Sequence, residues 1–133
     1  MNAAMFAKMR VKIGCSAAVL YAPAGYPKPD EYRWTDTGDV DFVHLFLEGR
    51  EQFQQRFAQA SAVFKQDGLF WVSYPKAHGK VTYDINRDSL WGLLVVSGFH
   101  PVSQVALDDE WSAVRVKRNE PGVVYESPAN VRL

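Results

Sequence analysis

The sequence predicts an α/β fold, a small Rossmann-like and mostly parallel sheet with flanking helices and a C-terminal antiparallel β-hairpin. Three observations predict it. The stretch Gly68–Lys76, GLFWVSYPK, holds a short apolar strand, Leu69–Ser73, broken by Tyr74-Pro75-Lys76, with helical periodicity on either side. Val40–Leu47, VDFVHLFL, is apolar on both faces, as parallel strands buried on both sides are. Near the C-terminus, Asp108–Glu110 separates two strand-like segments by too few residues for a crossover, so those segments pair antiparallel.

Taken in order, Ala4–Met9 forms a short amphipathic turn or stays disordered, and Ala17–Ala22, AAVLYA, is the first apolar strand. Pro23, Pro27 and Pro29 fix φ and remove donors, so the segment around them is irregular. Tyr32–Thr35 reads as a short edge strand, Thr37–Asp39 as a turn, and Val40–Leu47 as the next strand. Arg50–Lys65 is a helix whose Phe53, Phe57, Ala60 and Phe64 make one apolar stripe, with Asp67-Gly68 as its stop and Gly68 as a left-handed cap. After Leu69–Ser73 come a glycine-bearing loop at His78–Lys80 and a short extended piece, Val81–Tyr83. Asp84 or Asn86 caps a second helix, Arg87–Ser97, which is apolar almost all round and therefore deeply packed, and Gly98 stops it. His100–Leu107 and Ser112–Lys117 are the hairpin strands, and the chain loses periodicity from Asn119. The whole reads as one domain over 1–133, its core at about 11–118 and a tail or arm at 119–133.

Composition narrows the function classes. The chain is 47% hydrophobic and 14% aromatic, enough for a core without covalent staples. Fifteen basic residues balance fifteen acidic ones, which argues against nucleic acid or a membrane surface as a partner held by net charge. Cys15 is the only cysteine, so no internal disulfide forms, and a cytoplasmic setting is expected. Lys8, Arg10 and Lys12 before Ile13–Ala22 loosely mimic a leader, but Gly14, Cys15 and Ser16 dilute that run, which reads as a mature first strand.

Two resemblances follow from these residues. FVHLF with Arg50, then GLFWVSYPK, Asp84 and VALDDEWSAVR resembles a family of small bacterial proteins of unknown function. That family carries a W-V-S-x-P-K motif, here Trp71–Lys76, and a D-x-x-W-S motif, here Asp108–Ser112. More distantly, the order strand, helix, strand, helix, hairpin resembles the C-terminal half of class I S-adenosylmethionine methyltransferases. The resemblance implies a cofactor whose methionine end rests on a glycine-rich loop after the first strand. Here that loop is AVLYAPAGYP, with one glycine, Gly25, and no G-x-G, and the nearest acidic residue after the second strand is Asp36. The expectation is a methyltransferase-like fold that has lost the cofactor site, with no cofactor bound.

The carboxyl ends of Ala17–Ala22, Val40–Leu47 and Leu69–Ser73 should share one sheet edge, where open α/β sheets bind ligands. The candidate ligand-binding residues there are Ser73, Lys76, His78, Lys80, Arg50, Gly25 and Tyr26, and the lysines with Arg50 suit an anionic small molecule. Ser73 has no base beside it in the sequence. His44 reads as a core histidine bonded to a neighbour, and His100 as structural. Trp111 is a candidate partner-binding residue for a protein or a second copy of the chain, or else closes the end of the core. Arg115 is expected to pair with Asp108 or Asp109 across the hairpin. No spacing suggests a metal site. These features favour a non-catalytic ligand- or protein-binding module; the alternative is a divergent transferase or methyltransferase acting on an anionic molecule at the carboxyl ends of the strands.

Overall fold

The computed structural model describes residues 1–77 and 83–128. It contains α1 (Ala4–Lys8), β1 (Ser16–Leu20), β2 (Arg33–Trp34), β3 (Val40–Phe46), a 3₁₀ turn (Arg50–Gln52), α2 (Phe53–Val63), β4 (Phe64–Pro75), α3 (Arg87–Val96), β5 (Phe99–Ala106) and β6 (Trp111–Arg118). The strands form one six-stranded sheet in the order β2-β1-β3-β4-β6-β5. β2, β1, β3 and β4 run parallel, and β6 and β5 close the far edge antiparallel. The expected α/β sheet with its terminal hairpin is therefore present, as is the short edge strand, Arg33–Trp34. The extended piece expected at Val81–Tyr83 falls mostly outside the described residues.

Alternation along β3 divides the core. Val43, Leu45 and Leu47 face α2 and α3, packing with Phe53, Phe57, Phe70, Leu90 and Leu94. Phe42 and Phe46 face the other way, packing with Met5, Phe6, Met9, Tyr32 and Trp71. Of the two expected alternatives, a short amphipathic turn and disorder, the N-terminal segment takes the ordered one, as the helix Ala4–Lys8 with Met5, Phe6 and Met9 buried under the sheet. Trp71 ties it down, its indole N–H donating to the Met9 carbonyl at 3.0 Å.

Several local expectations are corrected. α2 ends at Val63, and Phe64 is already extended at φ −75° and ψ 125°, so Gly68 is not a helix cap but lies inside β4. The reason for glycine there is close approach. The step from Val40 to Phe42 on β3 faces the longer step from Phe64 to Leu69 on β4, a bulge that folds the Gly68 backbone against β3. A Cβ at Gly68 would lie 2.6 Å from the Asp41 carbonyl oxygen. Nor is α3 packed all round. Leu90 and Leu94 are fully buried while Val96 is 64% exposed, because the sheet covers only one side of the helix. Its cap is Asn86, whose side chain accepts from the Ser89 N–H at 3.0 Å while Ser89 returns a bond to the Asn86 N–H at 2.9 Å. Gly98, at φ +87°, ends it as expected. Arg115 lies opposite Trp71 of β4 and Ser103 of β5, within the ladder and away from the acidic turn, and among the described residues its buried Nε has no hydrogen-bond partner.

Gly68→Ala is expected to destabilise the fold by about 1–3 kcal/mol, the usual cost of forcing extra volume into packed structure. Chemical denaturation measures it; a loss within the ~0.5 kcal/mol of ordinary surface substitutions would mean that β3 and β4 do not approach at this bulge.

Candidate functional site

The parallel strands β1, β3 and β4 end at the same edge of the sheet. Because β6 runs antiparallel and pairs Trp111 with Pro75, the hairpin turn Asp108–Glu110 comes to that edge as well. Lys76 follows β4 directly and holds the turn twice. Its backbone N–H donates to the Glu110 carbonyl at 2.8 Å, and its ammonium donates to the Asp108 carbonyl at 2.7 Å. The Asp108 carboxylate organises the same turn, accepting from the Glu110 and Trp111 N–H groups at 2.8 Å each. Partial burial opposes its ionisation, but these two donors outweigh it and hold the carboxyl below its usual range. Beside the turn is a cavity of about 390 Å³ lined by Met1, Pro23, Ala24, Asp108, Asp109, Glu110 and Trp111, in which the Met1 ammonium lies 3.6 Å from Asp108 Oδ2. The Trp111 ring meets Phe46 edge-on at 5.0 Å, so the indole both closes the core and forms a cavity wall.

A second polar group lies under this edge. His44 and Ser73 are on the same face of neighbouring strands, and His44 Nε2 is 2.7 Å from Ser73 Oγ. His44 Nδ1 is 2.9 Å from the hydroxyl of Tyr26, which enters from the irregular segment after β1. The base that the sequence did not place near Ser73 is therefore present, in a tyrosine–histidine–serine chain. Yet His44 and Ser73 are both 0% exposed, and the imidazole is boxed by Phe42, Phe46 and Tyr26. Burial alone lowers the His44 pKa from its usual 6.5 to about 3 and drives the Tyr26 phenol well above its ordinary range. A neutral imidazole between two hydroxyls is satisfied in either tautomer, each hydroxyl donating or accepting as needed. The chain is a buried polar network, not a nucleophile open to substrate.

The remaining candidates are placed as follows. Gly25 is in the left-handed region at φ +85°, and a Cβ there would meet nothing within 4 Å. Arg50 opens the 3₁₀ turn, and its backbone N–H donates to Asp84 Oδ1 at 3.0 Å. His78 and Lys80 lie outside the described residues. His100, as expected, is structural, with Nδ1 2.9 Å from Asn119 Oδ1 and its ring stacked on Tyr125 at 4.2 Å. Among the described residues no group of three His, Cys, Asp or Glu side chains is arranged to hold a metal ion, and no helix is long and apolar enough to cross a membrane. Sequence reasoning missed the joining of Lys76 to the acidic turn and of His44 to Ser73. Period-two alternation gave the faces of β3 and β4; only their mutual register gives the partners.

No protein-family model matches the chain, and no curated protein matches it. Solved structures do. The 1,6-didemethyltoxoflavin-N1-methyltransferase of Burkholderia thailandensis, seen with 1,6-didemethyltoxoflavin and S-adenosylhomocysteine, is similar with a TM-score of 0.57 at 13% identity, over 89% of this chain and 76% of that one. A protein from Sulfolobus solfataricus labelled a type 11 methyltransferase gives a TM-score of 0.46 at 11% identity, over 74% of this chain and 65% of that one. On the first of these likenesses the fold is methyltransferase-like. The residues after β1 do not form a glycine cradle for the cofactor such a fold implies. Tyr21, not glycine, takes the left-handed turn at φ +61°, open space surrounds Gly25, and Tyr26 is drawn inward to His44.

A histidine whose pKa is depressed on folding stabilises the fold fully above its unfolded value of 6.5, and that contribution is lost as pH falls from there to about 3. Over this window unfolding takes up one proton at His44, giving a slope of about 1.4 kcal/mol per pH unit. Denaturation between pH 4 and 6 should show that component in the wild type and lack it in His44→Gln; equal slopes would mean that His44 is solvated and free to titrate.

Proposed function

We propose that this chain is a non-catalytic binding module on a methyltransferase-like sheet, taking a small molecule in the cavity at the carboxyl ends of β1, β3 and β4. One observation carries the reading. Among the described residues, Ser73 and Tyr26 at this edge are engaged with His44, and Lys76 with the Asp108 carbonyl. Catalysis needs such groups within reach of a substrate.

The cavity walls suggest what is bound. The Met1 ammonium already pairs with Asp108 in this cavity, and the exposed acids Asp109 and Glu110 beside the indole of Trp111 suit an organic cation that combines Coulomb attraction with a cation–π contact. Of the cations behind the anionic ligand first expected, Lys76 has its ammonium on the Asp108 carbonyl, which is why an organic cation is preferred here. Balanced charge and a single cysteine support a cytoplasmic setting with no nucleic-acid partner. The second reading is a divergent methyltransferase. Its support is the likeness to an N1-methyltransferase seen with S-adenosylhomocysteine.

Thermal unfolding against choline, S-adenosylmethionine, S-adenosylhomocysteine and inorganic phosphate separates these readings. A ligand at about 100 times its dissociation constant stabilises the fold by about 2.7 kcal/mol. Stabilisation by choline that Trp111→Ala and Glu110→Gln abolish is the expected result. Stabilisation by the two sulfur compounds with measurable methyl transfer would favour the methyltransferase, and a response to phosphate alone would return the anionic reading.

A further inference from the structure

The helical face carries a second cavity, separate from the carboxyl edge. It is a groove of about 540 Å³ between α2 and α3, open to solvent and floored by Phe57 and Phe99. That volume is in the range of small-molecule pockets. The groove exists because α2 and α3 follow different strands and leave the outer part of the sheet uncovered between them. Leu93 and Val96 of α3 form one wall, and Val96 is 64% exposed although it is apolar. Phe53, Phe57 and Ala58 of α2 form the other.

One charged residue, Arg118 at the end of β6, lines this groove, and none of the lining residues is acidic. Its position is fixed by the rings beneath it. The guanidinium carbon lies 5.0 Å from the Phe99 ring centroid and 5.5 Å from that of Phe64. One of its nitrogens donates to the Ser61 carbonyl at 3.4 Å. A guanidinium has five N–H donors in a planar fork, and the described residues engage it through that one hydrogen bond and the two rings. The hydroxyls that line the groove are turned back onto their own helices, Ser61 to the Ala58 carbonyl and Ser97 to the Leu93 carbonyl, so neither competes for the guanidinium.

We infer that this groove binds an apolar monocarboxylate, its aromatic or alkyl body between α2 and α3 and its carboxylate on the Arg118 guanidinium. Charge complementarity selects the head group, since a planar fork matches a carboxylate. An apolar slot with one cation and no acid selects the rest. The site is distinct from the cavity beside Trp111 and does not depend on what that cavity holds.

The test is calorimetric titration of the full chain with 2-naphthoate and, in parallel, with the neutral 2-naphthalenemethanol. The expected result is saturable one-to-one binding of naphthoate that Arg118→Gln weakens about tenfold or more, the usual scale for a hydrogen bond to a charged group. The alcohol should bind more weakly and ignore Arg118→Gln. Ala58→Trp, on an exposed position of α2, should fill the groove and abolish binding while the unfolding midpoint holds, and Trp111→Ala should leave naphthoate binding unchanged. Absence of saturable binding, or binding that survives both Arg118→Gln and Ala58→Trp, overturns the inference. So does a dimer in sedimentation velocity that Ala58→Trp dissociates, because a second copy of the chain would then be the occupant.

Discussion

The interior is arranged around β3, whose residues from Phe42 to Leu47 have no exposed face. A strand buried on both sides must satisfy every polar group it carries from its neighbours, and here that group is the His44 imidazole. Ser73 of β4 meets one ring nitrogen and Tyr26 meets the other. The second contact has the wider consequence. It draws the proline-rich segment after β1 back against the sheet, although that segment has no regular structure of its own. The aromatic rings around the histidine exclude water and make the network binding only for a neutral imidazole.

The two faces of the sheet are covered by different means. On one, α2 and α3 lie in the ordinary crossover positions and supply aliphatic and phenylalanine packing. On the other, a five-residue helix and an irregular loop do the work with rings. Phe6 lies within 6.2 Å of Tyr26, Tyr32, Trp34 and Phe42, mostly edge to face. Large rigid rings cover area at little entropic cost, so a short segment suffices where a longer helix would otherwise be needed. This second face occupies the aromatic residues of the loop after β1, which is also the loop that a methyltransferase-like fold would devote to its cofactor.

At the carboxyl edge, the same economy governs Lys76. A lysine after a strand that ends at Pro75 looks available for a ligand, but the antiparallel return of β6 brings backbone carbonyls of the turn within its reach. The turn is thereby fixed by the cation and by the Asp108 carboxylate, and Asp109 and Glu110 line the cavity beside it. The helical face differs in that Arg118 meets two ring faces and, among the described residues, makes a single hydrogen bond, to the Ser61 carbonyl.

By itself the sequence determined the elements and their kind. Apolar runs on both faces of Val40–Leu47 and Leu69–Ser73 marked parallel strands, the stripe Phe53, Phe57, Ala60 marked α2, and a three-residue acidic turn forced the hairpin. These are short-range properties, legible because periodicity and turn length act within a few residues. Only the tertiary structure decided what Gly68, His44, Ser73, Lys76 and Trp111 do. Gly68 reads as a helix stop until the β3–β4 bulge presses it against Asp41, and Ser73 lacks a base until register sets it diagonally from His44. Each of these roles belongs to a pair of residues far apart in the chain, and pairing depends on strand order and register, which local patterns do not encode.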